Sequence, residues 1–238
     1  MQQQETVHPD KSIEEQLQLQ RVFRKITFDL PLQRLEDKIQ DPSGRPLKTR
    51  AEYEAKLTAC TRERAKYYAI LQEESNNGKE YVTTKYTIDA GALLTVYEHL
   101  GCTLPNAKAQ IEEMIWEIND NLDGVISFDE FERSYLRARS DRTGLEPSEL
   151  FFLTCFLMFD KNCSGKVALD DAMKVFYLKY GDAMEEEMEL HFGKQLDEGA
   201  HLITFTEYRE AILRRLAQLI DRHATATKAN KYAKRNNS

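Results

Sequence analysis

Four short segments set the terms for this chain. Tyr86-Thr-Ile-Asp-Ala90, Ile126-Ser-Phe-Asp-Glu130, Val167-Ala-Leu-Asp-Asp171 and Ile203-Thr-Phe-Thr-Glu207 each begin with an apolar or aromatic residue and place another two positions on. Each leads into a pattern of helical period. Their starts lie 40, 41 and 36 residues apart. A repeat of that length is one supersecondary unit that cannot bury its apolar face alone, so neighbouring copies must pack together. One helix–loop–helix per repeat is expected, and with it an all-α fold. Ten Gly and six Pro in 238 residues leave room for long regular elements.

The loop of the second repeat reads Asn119-Asp-Asn-Leu-Asp-Gly-Val-Ile-Ser-Phe-Asp-Glu130. A twelve-residue loop around a hard divalent cation needs oxygen ligands at positions 1, 3, 5 and 12 and a backbone carbonyl at 7. It also needs a water near 9 and a glycine at 6 for a sharp turn. Position 8 suits a β-branched residue that pairs with its counterpart in a partner loop. Asn119, Asn121, Asp123 and Glu130 fall on the ligand positions, Val125 supplies the carbonyl, and Ser127 takes the water position. Gly124 and Ile126 fall where the turn and the pairing want them. Ile111, Met114, Ile115 and Ile118 stripe the incoming helix, and Phe128 and Phe131 open the outgoing one. Here the sequence closely resembles the EF-hand superfamily of calmodulin and troponin C, because ligands, glycine, β-branched residue and both helices agree at once. The departure is Asn119, where that family nearly always has Asp; an amide oxygen coordinates but brings no charge.

The third repeat, Asp160-Lys-Asn-Cys-Ser-Gly-Lys-Val-Ala-Leu-Asp-Asp171, matches the same pattern. The resemblance assigns ligation to Asp160, Asn162, Ser164, the carbonyl of Lys166, a water beneath Ala168, and Asp171. Asp171 is one methylene shorter than the usual Glu, which favours the tighter shell of Mg2+ over that of Ca2+. Each loop offers two ligand-position carboxylates, so calcium is expected to bind with a dissociation constant of roughly 10⁻⁵ M or poorer. The outer repeats depart further. The fourth places Leu196 at position 1 and His201 at position 6, and the first ends at Ala90 with no acid at position 12. Both are expected to be structural partners, through mini-strands Tyr86-Thr-Ile88 and Ile203-Thr-Phe205. The resemblance implies a two-lobed array with two paired EF-hands per lobe. Residues 76–138 form one lobe and 148–221 the other, with Arg137 to Pro147 as the joint.

Residues 1–75 read as a helical N-terminal arm. Ile13, Leu17, Val22, Phe23 and Ile26 share a helical face, and Pro31 is expected to stop that helix. A short segment from Leu32 to Ile39 follows. Asp41-Pro-Ser-Gly-Arg-Pro46 is a loop. Thr49 caps a helix over about 50–74, with Glu52 completing a capping box. Tyr53, Leu57, Cys60, Tyr67, Tyr68 and Leu71 form its stripe, which either packs or docks on a partner.

Charge is unevenly placed. Residues 11–66 carry 13 Lys/Arg against 9 Asp/Glu, residues 67–221 carry 15 against 29, and residues 222–238 carry five basic residues and no acidic one. An acidic body suits a cation binder, and basic ends suit contact with an acidic surface. No run approaches the length of a membrane span, and the polar start predicts no signal peptide. Four cysteines without CxxC spacing read as reduced thiols. No phosphate loop, GxSxG or HExxH is present, and His99 with Cys102 lacks the third group of a catalytic set. The chain is therefore expected not to be an enzyme. The basic tail at 222–238 holds one aromatic residue, Tyr232, so no nucleic-acid platform is expected.

Two functions follow. The first is a calcium-binding EF-hand adaptor with weak or partial occupancy, in which Met114, Phe131, Met158, Met173 and Phe176 line grooves for a partner helix. The second is a metal-independent structural protein in a cytoskeletal or axonemal assembly. Both imply a protein partner, a helix or filament, in the cytoplasm, the cytoskeleton, or a cilium or flagellum.

Overall fold

The computed structural model describes residues 13–40, 50–77, 85–141, 146–183, 185–186, 188–189, 192, 202–214, 217–218 and 225. The loop at 41–46, Thr49, Leu196, His201 and most of the tail lie outside them. The described chain is mostly helical, as the repeats predict, and falls into two compact units. One lies within Met1–His99 and Thr103–Glu132, the other within Leu100–Cys102 and Arg133–Ser238.

In the first unit, α1 (Ile13–Arg24) does not end near Pro31. It passes through a π-helical turn, Lys25–Asp29, into α2 (Leu30–Gln40). The Leu30 N–H bonds to the Lys25 carbonyl, five residues back. That wider turn absorbs the proline, whose ring would clash with the carbonyl four residues back in a regular α-helix. The expected break is thus replaced by a bulge. Helix α3 is a single run, Arg50–Asn77. Helix α4 (Ala90–His99) is capped by Asp89, whose Oδ1 accepts from the Ala92 N–H at 2.7 Å. Helix α5 (Ala107–Trp116) and the start of α6 (Phe128–Ser140) flank the second repeat's loop.

The N-terminal segment is core. Leu19, Val22, Phe23, Ile26 and Phe28 are at most 1% exposed, whereas Ile13 and Leu17 are 80% and 52% exposed. The apolar face of α1 therefore buries only its C-terminal half. The Phe28 ring lies 5.1 Å from Tyr67 on α3 and 5.8 Å from Tyr86. Arg34 on α2 donates to the Thr95 hydroxyl of α4 at 2.9 Å and pairs with Glu98. Ile88 and Ile126 form one antiparallel bridge, with N–H to carbonyl distances of 2.8 and 2.9 Å. The expected strand Tyr86–Ile88 shrinks to this single pair because Asp89 already turns the chain into α4.

The second unit is built on α7 (Glu149–Phe159), in which every residue from Leu150 to Met158 is buried. A helix apolar on all sides needs partners all round. Phe156 meets Phe205 at 5.0 Å and Tyr208 at 5.4 Å, and Phe151 meets Tyr135 at 5.1 Å. Strand β1 (Lys166–Ala168) leads into α8 (Leu169–Tyr180). It pairs antiparallel with β2 (Leu202–Thr204), with Val167 opposite Ile203. Strand β2 starts one residue before the expected Ile203–Phe205, since Phe205 already opens helix α9 (205–214). The start of α9 is a capping box: the Thr204 N–H and hydroxyl donate to Glu207 Oε2 at 2.9 and 2.7 Å, and the Glu207 N–H donates back to the hydroxyl at 3.2 Å.

Candidate metal centres

Both loops bend the backbone in the same places. Position 4 is left-handed in each, at Leu122 (φ 61°) and Cys163 (φ 50°), and so is position 6, at Gly124 (φ 82°) and Gly165 (φ 73°). The two glycines are not equivalent. A Cβ on Gly124 would meet nothing within 4 Å, whereas one on Gly165 would lie 3.2 Å from the Leu100 carbonyl oxygen. Gly124→Ala should therefore cost about 1–2 kcal/mol for its backbone conformation alone, and Gly165→Ala should cost more. Denaturant melts of the two variants check the ranking, and equal costs would refute it.

In the first loop Asn119 is only 3% exposed. Its Nδ2 donates toward Asn121 Oδ1 at 3.1 Å, Asp123 Oδ1 at 2.8 Å and the Val125 carbonyl. The oxygens expected at positions 3, 5 and 7 thus converge on one point. Glu130, at position 12, is 6% exposed. Its Oε1 accepts from the Asp120 N–H at 3.0 Å, and its Oε2 accepts from the Ser127 N–H at 2.9 Å and hydroxyl at 2.7 Å. The Glu130 N–H returns a bond to the Ser127 hydroxyl at 3.3 Å, so this is a capping box like that of Thr204 and Glu207. Burial pushes Glu130 up, but the bonds from Ser127 and the backbone N–H groups outweigh it, and the carboxyl is held below its ordinary range. The Val125 N–H and the Asn119 amide do the same for Asp123.

In the second loop Asp160 is 3% exposed. Its Oδ1 accepts from the Ser164 N–H at 2.8 Å and hydroxyl at 3.0 Å, and its Oδ2 from the Gly165 N–H at 2.8 Å. The Ser164 hydroxyl also approaches the Lys166 carbonyl at 3.1 Å. Asp160, Ser164 and Lys166 are therefore brought together. Asn162 is exposed. Asp171 accepts from Lys174 Nζ at 2.6 Å, on the exposed side of α8.

Amide, carboxylate and carbonyl oxygens of the first loop fit a hard divalent cation, provided Asn119 turns its oxygen inward. The second loop fits less well, because Asp171 is committed to Lys174 and Asp160 is the carboxylate turned into the loop.

No protein-family model matches the chain. Two relatives do: Myosin regulatory light chain 1 and Myosin regulatory light chain 2 of Caenorhabditis elegans. Each is 34% identical over 128 residues, covering 49% of this chain and 69% of the relative. The chain belongs to the EF-hand superfamily. Its kinship within that superfamily is to the myosin light chains.

In this EF-hand protein three of the five residues expected to line grooves are already covered. Met114, Phe131 and Met158 are 3%, 1% and 8% exposed. In the first unit the cover is α1: the Phe23 ring meets Phe128 edge-on at 5.2 Å and Phe131 at 5.5 Å. Met173 is half-buried, and the side chain of Phe176 lies outside the described set. The period of α1 announced an apolar face but not its destination. Lys174 was a missed partner, although a Lys three residues after an Asp on a helix is a readable pairing signal. Cys102 is buried, and burial pushes its thiol up, which suits packing and not nucleophilic chemistry.

Proposed function

We propose that this chain is an EF-hand adaptor that holds a protein partner's helix and keeps its shape with little or no help from metal. The observation that carries this is the fate of the two position-12 carboxylates. Glu130 is spent on a capping box with Ser127, and Asp171 on Lys174. A calcium sensor needs those groups free to change partner when metal arrives. Calcium or magnesium, held by Asn119, Asn121, Asp123, the Val125 carbonyl and Glu130, is then a weak addition, and the Asp160–Asp171 loop is weaker still. The pairing of Ile88 with Ile126 and of Val167 with Ile203 supports a lobe at 76–138 and another at 148–221.

The relatives' name ties them to myosin, and this supports a cytoplasmic role on a cytoskeletal partner. The acidic body favours a basic amphipathic helix as the bound element. Basic and acidic amphipathic peptides should be titrated into the full chain by calorimetry, once in EGTA and once in calcium with about 1 mM magnesium. Binding of the basic helix alone, with the same affinity in both buffers, is the expected result. No binding in either buffer would refute the adaptor, and binding only in calcium would restore the sensor.

A further inference from the structure

We infer that the amide group of Asn119 stands in for the cation of loop 119–130, so that this loop stays closed at any calcium level. The inference rests on reading 119–130 as an EF-hand loop, and on nothing about the partner. Three acceptor oxygens, from Asn121, Asp123 and the Val125 carbonyl, face one point. Oxygens gathered so closely repel one another unless something positive lies between them. A metal ion is one solution. An amide NH2, with two N–H donors carrying partial positive charge, is another.

The orientation of the amide follows from its surroundings. Its Oδ1 accepts from the Gly124 N–H on its other side, at 3.4 Å. Turning the group over would place a fourth oxygen among the three and leave that N–H without its acceptor. The rest of the loop is closed in the same manner. Asn121 Nδ2 donates to Asp123 Oδ2 at 3.0 Å, the Asp123 N–H donates to Asn121 Oδ1 at 3.0 Å, and the Val125 N–H donates to Asp123 Oδ1 at 3.0 Å. A cation entering here must expel the Asn119 NH2 and rotate the amide about its terminal torsion. Asp at position 119 could still accept from the Gly124 N–H, as Asp160 does from the Gly165 N–H in the second loop, but it has no N–H to give the three oxygens and would add a negative charge to them. The choice of Asn over Asp therefore decides whether the loop needs metal.

The test compares Asn119→Asp with its parent in the full chain, both carrying Asp171→Asn, which removes the carboxylate at position 12 of the second loop and so weakens any metal binding there. Thermal melts are run in EGTA and in about 0.1 mM calcium, where a micromolar site shifts the midpoint by several degrees. The parent should melt within about 1 °C in the two buffers. Asn119→Asp should melt about 5 °C or more below the parent in EGTA and recover in calcium, which it should bind about tenfold more tightly. If Asn119→Asp does not fold in EGTA, a calcium titration of its far-ultraviolet dichroism reads the same dependence. Independently, the side-chain NH2 protons of Asn119 in 15N-labelled parent should exchange slowly in EGTA and stay unchanged on adding calcium. The inference is overturned if those protons exchange like an exposed amide's, if Asn119→Asp melts with its parent in EGTA, or if the parent gains as much from calcium as the variant. None of these readings involves a peptide, so they fail or succeed separately from the adaptor.

Discussion

Replacing Phe23 by Ala is expected to destabilise the first unit by about 3–5 kcal/mol, the usual range for deleting a buried phenyl ring. Phe23 is 0% exposed, as are Leu19 and Ile26, with Val22 at 1%. Its ring packs edge-on against Phe128 and tilted against Phe131, and each such pair adds about 0.5–1.5 kcal/mol beyond the area buried. The site cannot easily collapse, because α1 is tied on by the π-helical turn and by α2, whose Arg34 is bonded to α4. Urea melts give the cost, and Leu17→Ala on the exposed side of the same helix, within about 0.5 kcal/mol of wild type, is the control. Binding of an apolar dye in EGTA should rise in the Phe23 variant as Phe128 and Phe131 are uncovered. Equal melts for the two variants would show that α1 does not seal this unit. The same packing changes the meaning of an N-terminal truncation. Removing residues 1–40 would strip Leu19, Val22, Phe23, Ile26, Phe28 and Leu30 from the core, so loss of partner binding in that variant would report unfolding before it reported docking.

The second large effect is expected at Asp160. In chelator, Asp160→Ala should cost about 2–3 kcal/mol. Its carboxylate is the acceptor for the Ser164 and Gly165 N–H groups and the Ser164 hydroxyl, and an unpaired buried donor costs about 1–3 kcal/mol. The Gly165 N–H is the most consequential of the three, since that bond is buried and holds the left-handed turn. Denaturant melts in EGTA measure it. A residue that mattered only as a metal ligand would be neutral there, and a neutral result would return Asp160 to that single role.

Much of this organisation could be read from the chain directly. The repeat of about forty residues, Gly124 and Gly165 at position 6, and Ile126 and Val167 at position 8 are local requirements, and the helix–loop–helix units follow from them. Local rules stop where a side chain's partner is remote. The heptad-like face of α1 says that Phe23 is buried but not that it is buried on Phe128, more than a hundred residues away. Pro31 reads as a stop because the rule assumes a regular α-helix, and only the packed helix reveals the π-helical turn that carries the chain past it.

The loops themselves divide in the same way. Spacing alone placed Asn119, Asn121, Asp123 and Val125 around one point, because twelve residues with a glycine at the sixth can close in few ways. Which atom of Asn119 fills that point was decided by tertiary structure, since an amide presents oxygen or N–H with equal ease until Gly124 and the three facing oxygens select one. Asp171 likewise carries the right charge for a ligand, yet its rotamer turns to Lys174 on the surface of α8. Residue type sets what a side chain can do, and the neighbours that folding supplies set which of those things it does.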